Sequence, residues 1–117
     1  MTRIWLIALL LIVFLVEARA ETRFFDDLGD VPVMPAIEEL PERTLVFDKP
    51  EGRIAQVMAL VGPDVALARV QGFYREILPQ FGWRAAGGGY VREGQKLTIS
   101  GLREGERDIV VLRLEPR

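Results

Sequence analysis

The chain has 117 residues, half of them hydrophobic, with 15 basic and 17 acidic side chains, no cysteine and no histidine. Without those two residue types there is no disulfide, no Ser-His-Asp or Cys-His catalytic set, and no zinc or haem site of the usual ligands. A net charge of −2 argues against the basic face that nucleic acid selects, and carboxylates remain as the main groups for acid–base chemistry or metal binding.

Met1-Thr2-Arg3 is a short positive start, Ile4 to Val16 an unbroken apolar run of 13 residues, and Glu17-Ala18-Arg19-Ala20 a small-residue exit. This is the layout of a secretory signal peptide, residues 1–20, with cleavage specified by Ala18, Ala20 and Glu21. The run is shorter than the roughly 20 residues of a membrane span, so no stable span is expected after cleavage; an uncleaved anchor is the alternative. Residues 21–117 carry a net charge of −3 and are enough for one domain. The expected location is the periplasm or the extracellular medium.

Residues 21–43 read as an extended arm. Pro32, Pro35 and Pro41 recur too often for a helix or central strand and restrict the residues before them. Phe24-Phe25, Val31, Val33-Met34, Ile37 and Leu40 are too apolar for a solvated linker. The arm is expected to lie against its own domain or a partner, or to stay disordered, with a short helical turn at Ala36–Leu40.

The folded unit is expected over residues 44–117. Thr44 to Asp48 is rich in strand formers, Lys49-Pro50-Glu51-Gly52 is a turn, and Arg53 to Val61 reads as the return strand. Gly62-Pro63-Asp64 punctuates the chain, with Asp64 as a helix cap. Val70, Phe73, Tyr74, Ile77, Leu78 and Phe81 then follow at helical spacing, and Pro79 and Gly82 end the helix. Gly72 costs about 1 kcal/mol in a helix interior and is assigned to a close helix–sheet approach.

Beyond Gly82 the period becomes two. Trp83–Ala86, Tyr90–Glu93, Lys96–Ser100 and Arg107–Glu115 are strands separated by Gly87-Gly88-Gly89, Gly94-Gln95 and Arg103-Glu104-Gly105-Glu106. The order strand-strand-helix-strands gives an α+β fold, one amphipathic helix packed on one face of an antiparallel sheet.

No catalytic, metal or cofactor-binding residue is assigned. Gly87-Gly88-Gly89 lacks the lysine and hydroxyl of a phosphate loop and joins two strands. Asp26, Asp27 and Asp30, and Glu38, Glu39 and Glu42, lack the spacing of an EF-hand. A glycosidase pair would need acids about 5–9.5 Å apart across a cleft, for which a domain this small has little room. Alternation places Leu97, Ile99, Val110, Leu112 and Leu114 inward, and leaves Thr98, Ile109, Val111 and Arg113, with Tyr90 and Arg92, as a candidate partner face; cover by the arm is the alternative. Phe73, Ile77, Phe81 and Trp83 are either ordinary core or the lining of an apolar ligand site. A core of fewer than roughly 80 residues without disulfides seldom supplies more than ~3–5 kcal/mol, so further burial is expected from the arm, a second copy or a partner.

The stretch Val70-Gln71-Gly72-Phe73-Tyr74-Arg75-Glu76-Ile77-Leu78-Pro79-Gln80-Phe81-Gly82-Trp83 resembles a pattern of small secreted domains of Gram-negative bacteria. Its order of helix, Gly-Trp and sheet is similar to the helix-grip type domains of the outer-membrane barrel-assembly lipoprotein C. That resemblance implies a fold and an envelope setting and transfers no functional residue; the chain lacks the lipidated cysteine of a lipoprotein. The resulting expectation is a non-enzymatic exported accessory protein, binding another envelope protein or itself through sheet face, edge strand or arm. The alternative is a carrier or sensor of a small apolar ligand held between helix and sheet, and a carboxylate-dependent enzyme is a residual third.

Overall fold

The computed structural model describes residues 22–117; the expected signal segment and its cleavage residues Ala18, Ala20 and Glu21 lie outside them. In chain order the elements are β1 (Ile37–Glu39), a 3-10 turn (Pro41–Arg43), β2 (Leu45–Lys49), β3 (Gly52–Val61), α1 (Leu67–Ile77), a second 3-10 turn (Leu78–Phe81), β4 (Arg84–Ala86), β5 (Gly89–Arg92), β6 (Gln95–Glu104) and β7 (Arg107–Pro116). All seven strands form one antiparallel sheet in the order β1-β3-β7-β6-β5-β4, with β2 beside β1 on the same edge of β3. Among the described residues strands make up 49% and the one α-helix is short. The expected α+β arrangement of a helix packed on a sheet is therefore corrected to a nearly all-sheet fold.

The correction has two physical sources. The strands β3, β6 and β7 each run for ten residues, because polar residues such as Gln56 and Arg103 sit on the open face and do not interrupt pairing. The helix begins late: Ala66 stands at its N-cap without a side-chain bond, and Asp64 lies in the preceding turn, where the Val65 N–H donates to the Gly62 carbonyl. Ala36–Leu40 is likewise no helical turn. Ile37–Glu39 pairs with Ala59–Val61 as β1, which lets Ile37 bury beside the core.

Register fixes the two faces. Val57 pairs with Leu112 and Ile99 with the same Leu112, and Ala55 and Leu97 both pair with Leu114. These residues line the core face, and residues 22–43 and α1 cover it. Phe25, Leu28, Val31 and Met34 are buried in the same cluster as Val70, Tyr74, Leu78 and Trp83. The Tyr74 hydroxyl donates to the Pro32 carbonyl (2.8 Å) and accepts from the Met34 N–H (3.3 Å), fastening that segment to the helix. Asp27 meets Arg53 and Asp30 meets Arg92, each at 3.0 Å.

The glycine that permits close helix–sheet approach is Gly101, not Gly72. A Cβ at Gly101 would collide with the Leu67 side chain, whereas one at Gly72 would meet nothing within 4 Å. Among the described residues no helix is long and apolar enough to cross a membrane.

Candidate functional site

The structure divides the six residues of the expected partner face. Thr98, Val111 and Arg113 share the face opposite the core, and Ile109 lies there with Leu60 and Leu102 as its cross-strand neighbours. Ile109 is itself buried, so it offers no surface. Tyr90 and Arg92 point to the core side. The two-residue turn Glu93-Gly94 pairs Arg92 with Gln95 and hence Tyr90 with Leu97, and directly paired residues share a face. Tyr90 packs against the core, and the Arg92 guanidinium sits 4.5 Å from the Trp83 ring centroid.

Among the described residues the longest run of exposed large apolar side chains is on β2, where Leu45 and Phe47 share the open face and Val46 is directed to the other. Leu45, Val46 and Phe47 are 48%, 41% and 53% exposed, and only Phe24 and Leu102 match them among the large hydrophobics of the described residues. On one side β2 pairs with β3, from Leu45 opposite Gln56 to Lys49 opposite Gly52 across the turn Pro50-Glu51. A two-residue loop closes on a hydrogen-bonded pair, and such pairs alternate along the ladder. Leu45, Phe47 and Lys49 therefore bond to β3, while the N–H and C=O groups of Val46 and Asp48 face the open side. The adjoining part of this edge is guarded differently. The 3-10 turn at Pro41–Arg43 interrupts it, and Glu38 and Glu42 are exposed. Charge and a break in pairing are ordinary protections of a sheet edge; in β2 only the terminal Asp48-Lys49 supplies any. The Arg43 guanidinium makes a two-point bond to the Glu104 carboxylate (2.7 and 2.8 Å), joining this edge to β6 across the intervening strands. That bond is the main reason that Arg43 is raised and Glu104 lowered from their ordinary values.

The four residues expected to line a ligand site do not converge. Phe73 and Ile77 border an apolar groove of about 360 Å³ between α1 and the stretch from Thr22 to Ile37, with Val33 and Met34 on its other wall. Phe81 packs edge-on against Phe24, their centroids 5.4 Å apart, and borders a different cavity. Trp83 is buried, and its indole N–H has no partner. The space between helix and sheet is filled by Phe25, Leu28, Val31 and Met34.

Of the acidic residues singled out from sequence, Asp26, Asp27 and Glu39 lie close enough to interact. Asp27 and Asp30 are spent on Arg53 and Arg92. Glu39 is raised above its ordinary value by burial and then by the charges of Asp26 and Asp27. Among the described residues no group of three or more acidic side chains is placed to hold a metal ion.

The sequence reading placed β2 as a strand but did not identify its exposure. Its signal is three consecutive large apolar residues without alternation, which in this edge strand leaves both faces of the run exposed. Comparison of the chain with protein-family models, with curated proteins and with solved structures finds no match.

Proposed function

We propose that this is an exported, non-enzymatic binding protein that takes up an extended segment of another envelope protein by strand addition along β2. The observation that carries the reading is the edge itself: exposed Leu45, Val46 and Phe47 beside outward main-chain groups at Val46 and Asp48. In strand addition main-chain bonds supply affinity and alternate side chains supply selectivity. Five residues of edge offer much less area than the 1,200–2,000 Å² or so of a stable interface between globular surfaces, which favours a short extended segment over a second folded copy. The acidic signal-bearing sequence supports an envelope setting.

Photo-crosslinking in the producing cell tests this. A photoreactive residue at Val46 is expected to give one discrete protein adduct, and the same residue at Thr98 none. No adduct at position 46, or an equal one at 98, would contradict the proposal.

The apolar groove beside Phe73 and Ile77 favours a second reading, uptake of a small apolar ligand there. A saturable rise in emission of an apolar dye, abolished by Phe73→Glu, is its expected signature.

A further inference from the structure

A cavity lies at the β4–β5 end of the sheet, on the opposite edge from β2. It measures about 600 Å³ and is bordered by Asp30, Phe81, Arg84, Arg92, Glu93 and Arg117, among others. That volume is within the ~300–1,000 Å³ typical of small-ligand sites. We propose that it binds a small organic anion through a carboxylate or phosphate group.

Three observations point there. First, three arginines border the cavity against two side-chain carboxylates, in a chain whose residues 21–117 are net negative. One of those carboxylates, Asp30, is held by Arg92. Second, Arg92 is built in: its side chain is only 16% exposed, and its face lies against Trp83. The bonds it makes to Asp30 and to the Phe81 carbonyl both leave from Nη1, and its Nε–H is buried without a partner among the described residues. A guanidinium has five N–H donors in a fork that matches carboxylate and phosphate oxygens, so Arg92 is under-used by the protein.

Third, Gly82 leaves room for that side chain: a Cβ there would stand 3.3 Å from the Arg92 Cδ.

Arg84 and Arg117 are the two arginines whose side chains make no hydrogen bond or ion pair among the described residues and border this cavity. They are the groups expected to grip the anion; Arg84, paired with Val91, and Arg92, paired with Gln95, reach the cavity from opposite faces of the sheet. Arg84 on β4 and Arg117 beyond β7 converge because the Arg117 N–H donates to the Gly94 carbonyl at 2.8 Å.

The test is a ¹⁵N NMR titration of the whole chain at constant ionic strength, with inorganic phosphate in one arm and acetate in the other. The reporters are the Trp83 indole N–H and the Arg92 Nε–H, both buried beside the cavity. A saturable shift with either probe, weakened at least about tenfold in R84Q/R117Q, is expected. Saturation by phosphate alone identifies a phosphoryl ligand and by acetate alone a carboxylate. No saturable shift with either probe, or the same affinity in the double variant, overturns the proposal. Because neither substitution lies on β2, loss of anion binding would leave strand addition standing, and the reverse.

Discussion

Three residues carry opposite and separable consequences. Gly72 sits inside α1 with open space where a Cβ would be, so Gly72→Ala is expected to raise stability by about 0.5–1 kcal/mol through helix propensity and lower unfolded-state entropy. Gly101 faces Leu67, and Gly101→Ala is expected to cost about 1–2 kcal/mol by overpacking. Urea unfolding of both variants checks the pair; effects of the same sign would contradict the contact geometry. Tyr74→Phe removes the partner of two backbone groups, at Pro32 and Met34, for an expected loss of about 1–3 kcal/mol. Burial holds the Tyr74 hydroxyl above its ordinary value of 10.0, against a smaller opposing effect of the Met34 N–H. The folded chain thus keeps this proton where the unfolded chain releases it. The resulting stability is complete below pH 10 and falls as pH rises beyond it, by at most about 1.4 kcal/mol per pH unit. The stability difference between the wild type and Tyr74→Phe should be flat up to about pH 9.5 and shrink above it. A difference unchanged to about pH 11 would show that the hydroxyl is not buried as described.

At the scale of elements, β2 is the part of the sheet whose chemistry is unfinished. Proline at position 46 removes an outward N–H and leaves the bonds of Leu45, Phe47 and Lys49 to β3, the placement in which edge strands tolerate it. Val46→Pro is therefore expected to keep the circular dichroism of the wild type while blocking strand addition; loss of the fold would refute the assigned hydrogen-bond parity. Much of the ladder was legible from sequence because Lys49-Pro50-Glu51-Gly52 is turn chemistry and the runs beside it are rich in strand formers, whereas the turn expected at Gly94-Gln95 lies one residue earlier, at Glu93-Gly94. The face of Tyr90 and Arg92 was not legible. Alternation within a strand says which residues share a face, and only the register across a turn says which face that is. The exposure of Phe47 was hidden for a related reason, since a residue's type does not reveal whether its strand is internal or at an edge. The grouping of Arg84, Arg92 and Arg117 joins residues from β4, β5 and the end of the chain, a proximity that no local pattern contains.

For the molecule as a whole, the decisive feature is that residues from Phe25 onward belong to one core. Helix spacing indicated Val70, Tyr74 and Leu78 from sequence, but Leu28 and Val31, flanked by acids, glycine and proline, gave no periodic signal. They are buried because the segment folds back on itself, with the Phe25 N–H donating to the Val31 carbonyl at 3.0 Å. Removing residues 21–43 would therefore strip the core as well as any partner contact, and cannot serve as a test of binding. Leu28→Ala, at a fully buried position, is expected to cost about 2–5 kcal/mol in thermal or urea unfolding, and a loss below about 1 kcal/mol would mean that this segment is a detachable arm. The central claim, that an extended segment of another protein occupies the β2 edge, is tested most directly by native mass spectrometry of the wild type and Val46→Pro, each purified gently from the envelope of the producing cell. A companion polypeptide in the wild-type spectrum that is absent from the variant is the expected result. The same companion in both spectra, or bare monomers in both, would contradict it.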